Sequence, residues 1–172
     1  KGFVNQYYGD GIMALFPEKP EDALLAAREM LETLEAFNEN REEALRIGIG
    51  LHTGQLMMGV IGDADRMDAR VVADTVNTAS RMEGLTKHYG TSIILSEQTL
   101  SGITSPADHL LRFLGKVQVK GRKEALNVHE SKAWLASAEK EKFLNLTQTF
   151  HEALGAYYEQ NFALAIKAFK EV

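Results

Sequence analysis

The first sixteen residues, KGFVNQYYGDGIMALF, place an aspartate, Asp10, between two glycines. Apolar and aromatic residues flank it on both sides: Phe3, Tyr7 and Tyr8 before, Ile12, Ala14 and Phe16 after. Asp-Gly between two such runs is a hairpin signal, because the central residues of the turn must tolerate a positive φ. A carboxylate raised on a hairpin tip serves the turn alone, or the turn and a ligand together. The second set of chemistry-bearing residues lies in DTVNTASRMEGLTKHY, residues 74–89. Asn77 and Arg81 are four apart, so on a helix an amide and a guanidinium stack on one side. Asp74, Gly84 and His88 share that stripe, while Val76, Ala79, Met82, Leu85 and Tyr89 form the opposite, core-facing side. The stripe is either a solvated face or one wall of a cleft. The charged loop and the glycine-faced strand that precede it favour the cleft.

These groups need elements to hold them. Residues 2–8 and 12–16 read as a hairpin. After Pro17 and Pro20, Ala23, Leu24, Ala27, Met30, Leu31, Leu34 and Phe37 fall at helical spacing behind an acidic first turn, Glu21-Asp22. RIGIGLHTGQLMMGVIG reads as a second hairpin turning at Thr53-Gly54, with Met57 and Met58 divided between core and surface. Gly48 and Gly50 share one face of their strand, which calls for a backbone, a helix or a ligand close by. DADRMDAR reads as a charged loop, and Asp74 as an N-cap. SIILS is a short buried strand, Ser96 caps a brief helical turn, and LLRFLGKVQVKG and ALNVHES pair across a turn at Lys120-Gly121-Arg122. Helices alternating with strand pairs give an α/β (α+β) sandwich with a mostly antiparallel sheet. From about Ala133 two amphipathic helices follow, with Phe143, Leu146, Phe150, Leu154 and Tyr157, then Phe162, Ile166 and Phe169, broken at Asn161. They resemble the start of a tetratricopeptide array; the other reading is a helical pair that docks on the main domain.

The chain has 172 residues, formal charge −5 and no cysteine. Disulfides and thiolate metal sites are therefore excluded, no nucleic-acid partner is indicated, and a cytoplasmic location is allowed. No run reaches the ~18 apolar residues that would span a bilayer. Gly48–Gly54 is no dinucleotide fingerprint, because the third glycine is misplaced and no helix follows. The five histidines show no zinc spacing. There is no G-x-S-x-G elbow.

Taken together, YYGDGIMALF, IGIGLHTGQLMMGVIGDADRMD, ADTVNTASRMEGLTKHYG and GKVQVKG resemble the class III adenylate/guanylate cyclase catalytic domain over residues 1 to about 131. The resemblance implies a ferredoxin-like core in residues 1–132, followed by the helical extension 133–172. It implies a head-to-tail homodimer that converts ATP or GTP to the 3′,5′-cyclic nucleotide and pyrophosphate with two Mg²⁺ or Mn²⁺ ions, in intracellular signalling. Asp10 then matches a metal-binding aspartate, Asn77 the ribose-orienting residue, Arg81 the group that neutralises the α-phosphate, and Lys120 the contact to the terminal phosphates. Gln6 and Arg70 stand at the base-selecting positions.

The chain also departs from the family. The other metal aspartate belongs to a strand upstream of the first hairpin. The chain starts without Met, inside a strand, and reads as a piece of a longer protein that lacks this first strand. As written it is expected to be inactive. Gln6 replaces the expected lysine and Arg70 the expected Asp or Thr. Gln6 both donates and accepts, whereas Arg70 only donates. The base is therefore not assigned, and the alternatives are a degenerate, nucleotide-sensing dimerisation module and a helical interaction module built on an α/β platform. For Arg70 a surface ion pair with Asp65 or Asp68 is the plainer reading.

Overall fold

The structure, a computed structural model, describes residues 1–63, 66–72, 74–118 and 124–172, with backbone alone at 60–63 and 66–72. The elements run β1 (Phe3–Tyr8), β2 (Gly11–Leu15), α1 (Pro20–Asn38), β3 (Ile49–Leu51), β4 (Met57–Asp63), β5 (Arg66–Val72) and α2 (Asp74–Tyr89). They continue with β6 (Ile93–Ser96), α3 (Glu97–Leu100), a 3₁₀ turn (Pro106–His109), β7 (Leu111–Val117), β8 (Leu126–Ser131), α4 (Ser137–Tyr158) and α5 (Phe162–Phe169).

The central sheet has the order β3-β6-β8-β7. β3 runs parallel to β6, and β8 is antiparallel to both β6 and β7. Strand β6 is buried along its whole length because helices cover both of its faces. Its alternation divides the core: Ile93 and Leu95 meet Leu24, Ala27 and Leu31 of α1, whereas Ile94 joins Met82 of α2 with Leu114, Leu126 and Val128. Ser96 ends the strand and caps α3, its Oγ accepting from Thr99 N–H.

Helix α1 stops at Asn38, whose side chain donates to Leu45 O and accepts from Leu45 N–H, both at 2.9 Å. That bracket closes the 39–45 connection. Met30 and Phe37, which fall at helical spacing with the buried Leu24, Ala27 and Leu31, are exposed, and the Arg41 guanidinium lies 4.9 Å above the Phe37 ring. At the other end of α1, Glu21 meets the buried His109 at 3.2 Å. This contact is the largest cause holding the Glu21 carboxyl below its ordinary value. Its contribution is therefore present above the ordinary glutamate pKa, about 4.3. It is lost as pH falls through the lowered folded value. In urea titrations, Glu21→Gln should lower the midpoint at neutral pH and flatten its fall on the acid side of pH 4, about where glutamate titrates.

Three local expectations are corrected. The second hairpin does not form at Thr53-Gly54: β3 pairs with β6, and β4 pairs with β5, from Met57 opposite Val72 to Asp63 opposite Arg66. The charged stretch read as a loop is thus largely strand β5, because its backbone has a partner in β4 whatever its side chains are; Ala64 and Asp65 lie outside the described residues. Met57 and Met58 are both exposed, at 78% and 55%.

The last two helices form a hairpin. Gln160 turns the chain with φ 63°, and Asn161 caps α5 by accepting from Leu164 N–H. Phe143, Leu154 and the small residues Ala153, Ala156 and Ala165 are buried here, whereas Phe162, Ile166 and Phe169 are exposed. Helix α4 lies against β7. Arg112 of β7 stacks between Phe143 and Phe150 of α4, 4.6 and 4.3 Å from their ring centres. The same guanidinium bonds Glu130 Oε1 at 2.6 and 2.7 Å, and Lys132 approaches Oε2 at 3.5 Å.

Candidate active site

Strand β3 and helix α2 approach each other without intervening side chains. A Cβ on Gly50 would run into the Ala79 carbonyl and the Glu83 amide, and one on Gly48 into the Thr86 hydroxyl. The glycine face read from sequence is therefore where α2 lies on the sheet. Against it α2 turns Thr78, Met82 and Thr86, all buried, with Val76, Ala79 and Leu85 half-buried. Tyr89, assigned to this face from its spacing, is 38% exposed. Two threonines take places where the apolar pattern led elsewhere, since each hydroxyl can be satisfied within its own helix. Thr78 donates to Asp74 O at 2.8 Å and Thr86 to Glu83 O at 2.5 Å.

Asp74 is the first helical residue and not the residue before it. The start of the helix is instead tied down by Thr75, which donates to Gln55 O at 2.7 Å, beside Gly54. Thr75 was not legible as a positioning residue, because its partner is a backbone carbonyl twenty positions earlier. With both ends of its buried face fixed, α2 presents the other stripe outward. Asn77, Gly84 and His88 are exposed and Arg81 is half-buried. Asn77 and Arg81 have no hydrogen-bond or ion-pair partner among the described residues. An amide and a guanidinium one turn apart, both unused, suit an anionic ligand that accepts hydrogen bonds.

Asp10 also has no such partner among the described residues, and it sits at the tip of β1–β2. The turn is Gly9-Asp10, with Gly11 already paired to Tyr8. Of the two turn residues only Gly9 has a positive φ, 63°. The glycine that the turn requires is thus the one before the aspartate, and Asp10 keeps an ordinary backbone. Gln6 stands on the same hairpin, its Oε1 accepting from the Tyr8 hydroxyl at 2.9 Å. The hairpin forms a sheet of its own, and no hydrogen bond or ion pair joins it to α2 among the described residues. Arg70 lies on β5 opposite Gly59, and its side chain is outside the description. Lys120 lies outside the described residues altogether. Among the described residues no group of three His, Cys, Asp or Glu is placed to hold a metal ion, and no helix is long and apolar enough to cross a membrane.

The chain is similar to known proteins in sequence and in fold. The family model of the adenylate and guanylate cyclase catalytic domain matches residues 15–134. That match includes α2 and leaves out the tip carrying Gln6 and Asp10. An adenylate cyclase of Anabaena cylindrica is 42% identical over 142 residues, 77% of this chain and 28% of that protein. The chain thus spans well under half the length of this curated relative. A guanylyl cyclase structure, Cya2, is 30% identical with a TM-score of 0.60, covering 76% of this chain and 69% of that one. A bacterial light-regulated adenylyl cyclase shares the fold at 24% identity and a TM-score of 0.68, over 85% of this chain and 42% of that one. On the length of the family match and the identity to relatives, the chain belongs to the class III adenylate and guanylate cyclase catalytic domain family.

Proposed function

We propose that the protein containing this chain cyclises a purine nucleoside triphosphate, ATP before GTP, to the 3′,5′-cyclic nucleotide. The ribose 3′-oxygen attacks the α-phosphorus, the bond from that phosphorus to the β-phosphate's bridging oxygen breaks, pyrophosphate leaves, and the 3′-hydroxyl proton passes to solvent. The unpartnered pair Asn77 and Arg81 on one outward stripe of α2 is the observation that carries this reading. Asn77 orients the ribose. Arg81 donates to the α-phosphate oxygens, where charge grows in the transition state. Lys120 is assigned to the terminal phosphates, Gln6 and Arg70 to the base. ATP is preferred because the Anabaena relative is an adenylate cyclase.

The family's divalent ions, Mg²⁺ or Mn²⁺, would lower the pKa of the attacking hydroxyl and hold the triphosphate. Asp10 fits as one hard oxygen ligand of such a set, but this chain's described residues do not complete it. The 172 residues alone are accordingly assigned no turnover. Asp10 and α2 lie on separate sheets without a bond between them, which supports a site shared by two copies, Asp10 from one and Asn77 and Arg81 from the other.

The test is cyclic nucleotide formation by the full-length protein with Mn²⁺ and ATP or GTP. Arg81→Ala and Asp10→Ala should each reduce kcat by about 10²-fold or more. Mixing the two variants in equal amounts should restore about a quarter of wild-type activity, since half of all dimers would be mixed and each of those would carry one intact site of two. Equal activity of both variants and wild type would remove these residues from the reaction. The second reading, a nucleotide-sensing homologue without turnover, is favoured by Gln6, whose amide oxygen is already engaged by Tyr8. It requires nucleotide binding with no product in the same assay.

A further inference from the structure

The C-terminal helical pair makes two contacts with the part of the fold that carries α2: one with a core cluster that includes Met82 of α2, the other with strand β7. The first is apolar. Phe150 of α4 packs on the cluster formed by Met82 of α2 with Leu114 of β7, Leu126 and Val128. Met82 directly follows Arg81 in the chain. On its other side Phe150 meets Phe169 of α5 edge-to-face, with ring centres 5.6 Å apart. The Arg112 guanidinium, anchored by the buried Glu130, holds the Phe150 ring against the sheet. A continuous run of packed side chains therefore leads from α5 through α4 to the underside of α2.

The second contact is polar. The Tyr158 hydroxyl, on the last residue of α4, accepts a hydrogen bond from the Lys116 N–H of β7 at 3.0 Å. This amide lies on an outer strand of the central sheet, next to a break in register between Phe113 and Gly115. Gly115 has φ 133°, and a Cβ there would stand 3.2 Å from the Tyr158 hydroxyl. The irregular strand and the tyrosine are thus matched in shape as well as in hydrogen bonding. Burial raises the Tyr89 pKa, and the Tyr158 hydroxyl adds to the rise.

We propose that α4 acts as a strap coupling the α4–α5 pair to α2, Phe150 and Tyr158 being its two attachments, so that displacement of the pair shifts the helix that bears Asn77 and Arg81. The functional weight of that coupling rests on the cyclase reading above, but its physical test needs no nucleotide. Interaction energy of this kind travels through packed groups and has to be shown as coupling, not inferred from proximity.

Amide hydrogen exchange on the 172-residue chain provides the test, with two mild variants acting from different places. Tyr158→Phe removes one hydroxyl and should speed exchange at Lys116 about tenfold, the loss of one hydrogen bond. It should also speed exchange in residues 79–90, leaving α1 and β6 as in wild type. Phe169→Ala, on the exposed α5, should speed exchange in 79–90 as well. If 79–90 exchanges at the wild-type rate in either variant, the strap does not reach α2 and the proposal is overturned. If α1 and β6 accelerate by the same factor as 79–90, the residues add only to global stability and the proposal is equally overturned. Absence of cyclase activity in the full-length protein would remove the catalytic reading while leaving the exchange result standing.

Discussion

Gly50→Ala is expected to destabilise the chain by about 3 kcal/mol or more, or to prevent its folding, because the added methyl meets atoms that cannot yield. Glu83 Cα would be 3.0 Å away, and the Ala79 carbonyl and Glu83 amide closer still. All three are helix backbone. On the strand side β3 has no freedom either: Gly50 stands opposite Ile94 in the parallel ladder, and Ile49 N–H donates to Ser92 O at 2.8 Å. The clash can be relieved only by lifting α2 off the sheet, which would expose Met82 and leave the buried Thr78 and Thr86 without their packing. Urea denaturation followed by circular dichroism measures the effect. Gly84→Ala is the contrast: it lies on the outer side of the same helix with open space around it. There alanine should stabilise by about 0.5–1 kcal/mol through helix propensity alone. Equal effects of the two substitutions would show that α2 does not press on β3.

The second large effect is expected at Glu130, whose side chain is 2% exposed while bridging Arg112 and Lys132. Glu130→Ala leaves the Arg112 guanidinium, itself only 13% exposed, among two phenylalanine rings without its counter-charge. Breaking a buried pair in this way costs about 3–5 kcal/mol. The pair as a whole is worth much less than that, since both ions lose their hydration on folding. The double replacement Glu130→Leu with Arg112→Met should therefore recover most of the lost stability. A double replacement as unstable as Glu130→Ala would mean that Arg112 matters chiefly as the plate between Phe143 and Phe150. Thermal and urea unfolding of the two variants beside wild type separate these outcomes.

Local sequence determined a good deal of this protein. The Ser96 cap, the break at Asn161 and the helices α1, α2, α4 and α5 follow from capping and periodicity, which involve neighbours a few residues apart. The glycine pair 48 and 50 announced a close approach, and the Asn77/Arg81 stripe followed from helical geometry. The likeness to a family came from motifs in order, and so carried further than any one of them.

Other features depended on partners distant in the chain. No local rule tells β3 to pair with β6, forty-four positions on (Ile49 opposite Ile93), instead of with the adjacent β4. The charged β5 is a strand only because β4 lies beside it. Thr78 and Thr86 could enter the core because their hydroxyls find carbonyls in their own helix, a solution that an apolar count does not see. The Arg112–Glu130 pair and its aromatic cover join two strands and a helix that sequence gives no reason to bring together. The division has one physical cause: capping and periodicity are settled over a turn or two of chain, whereas strand partnership and the burial of charge are settled by whichever surfaces the whole fold brings into contact.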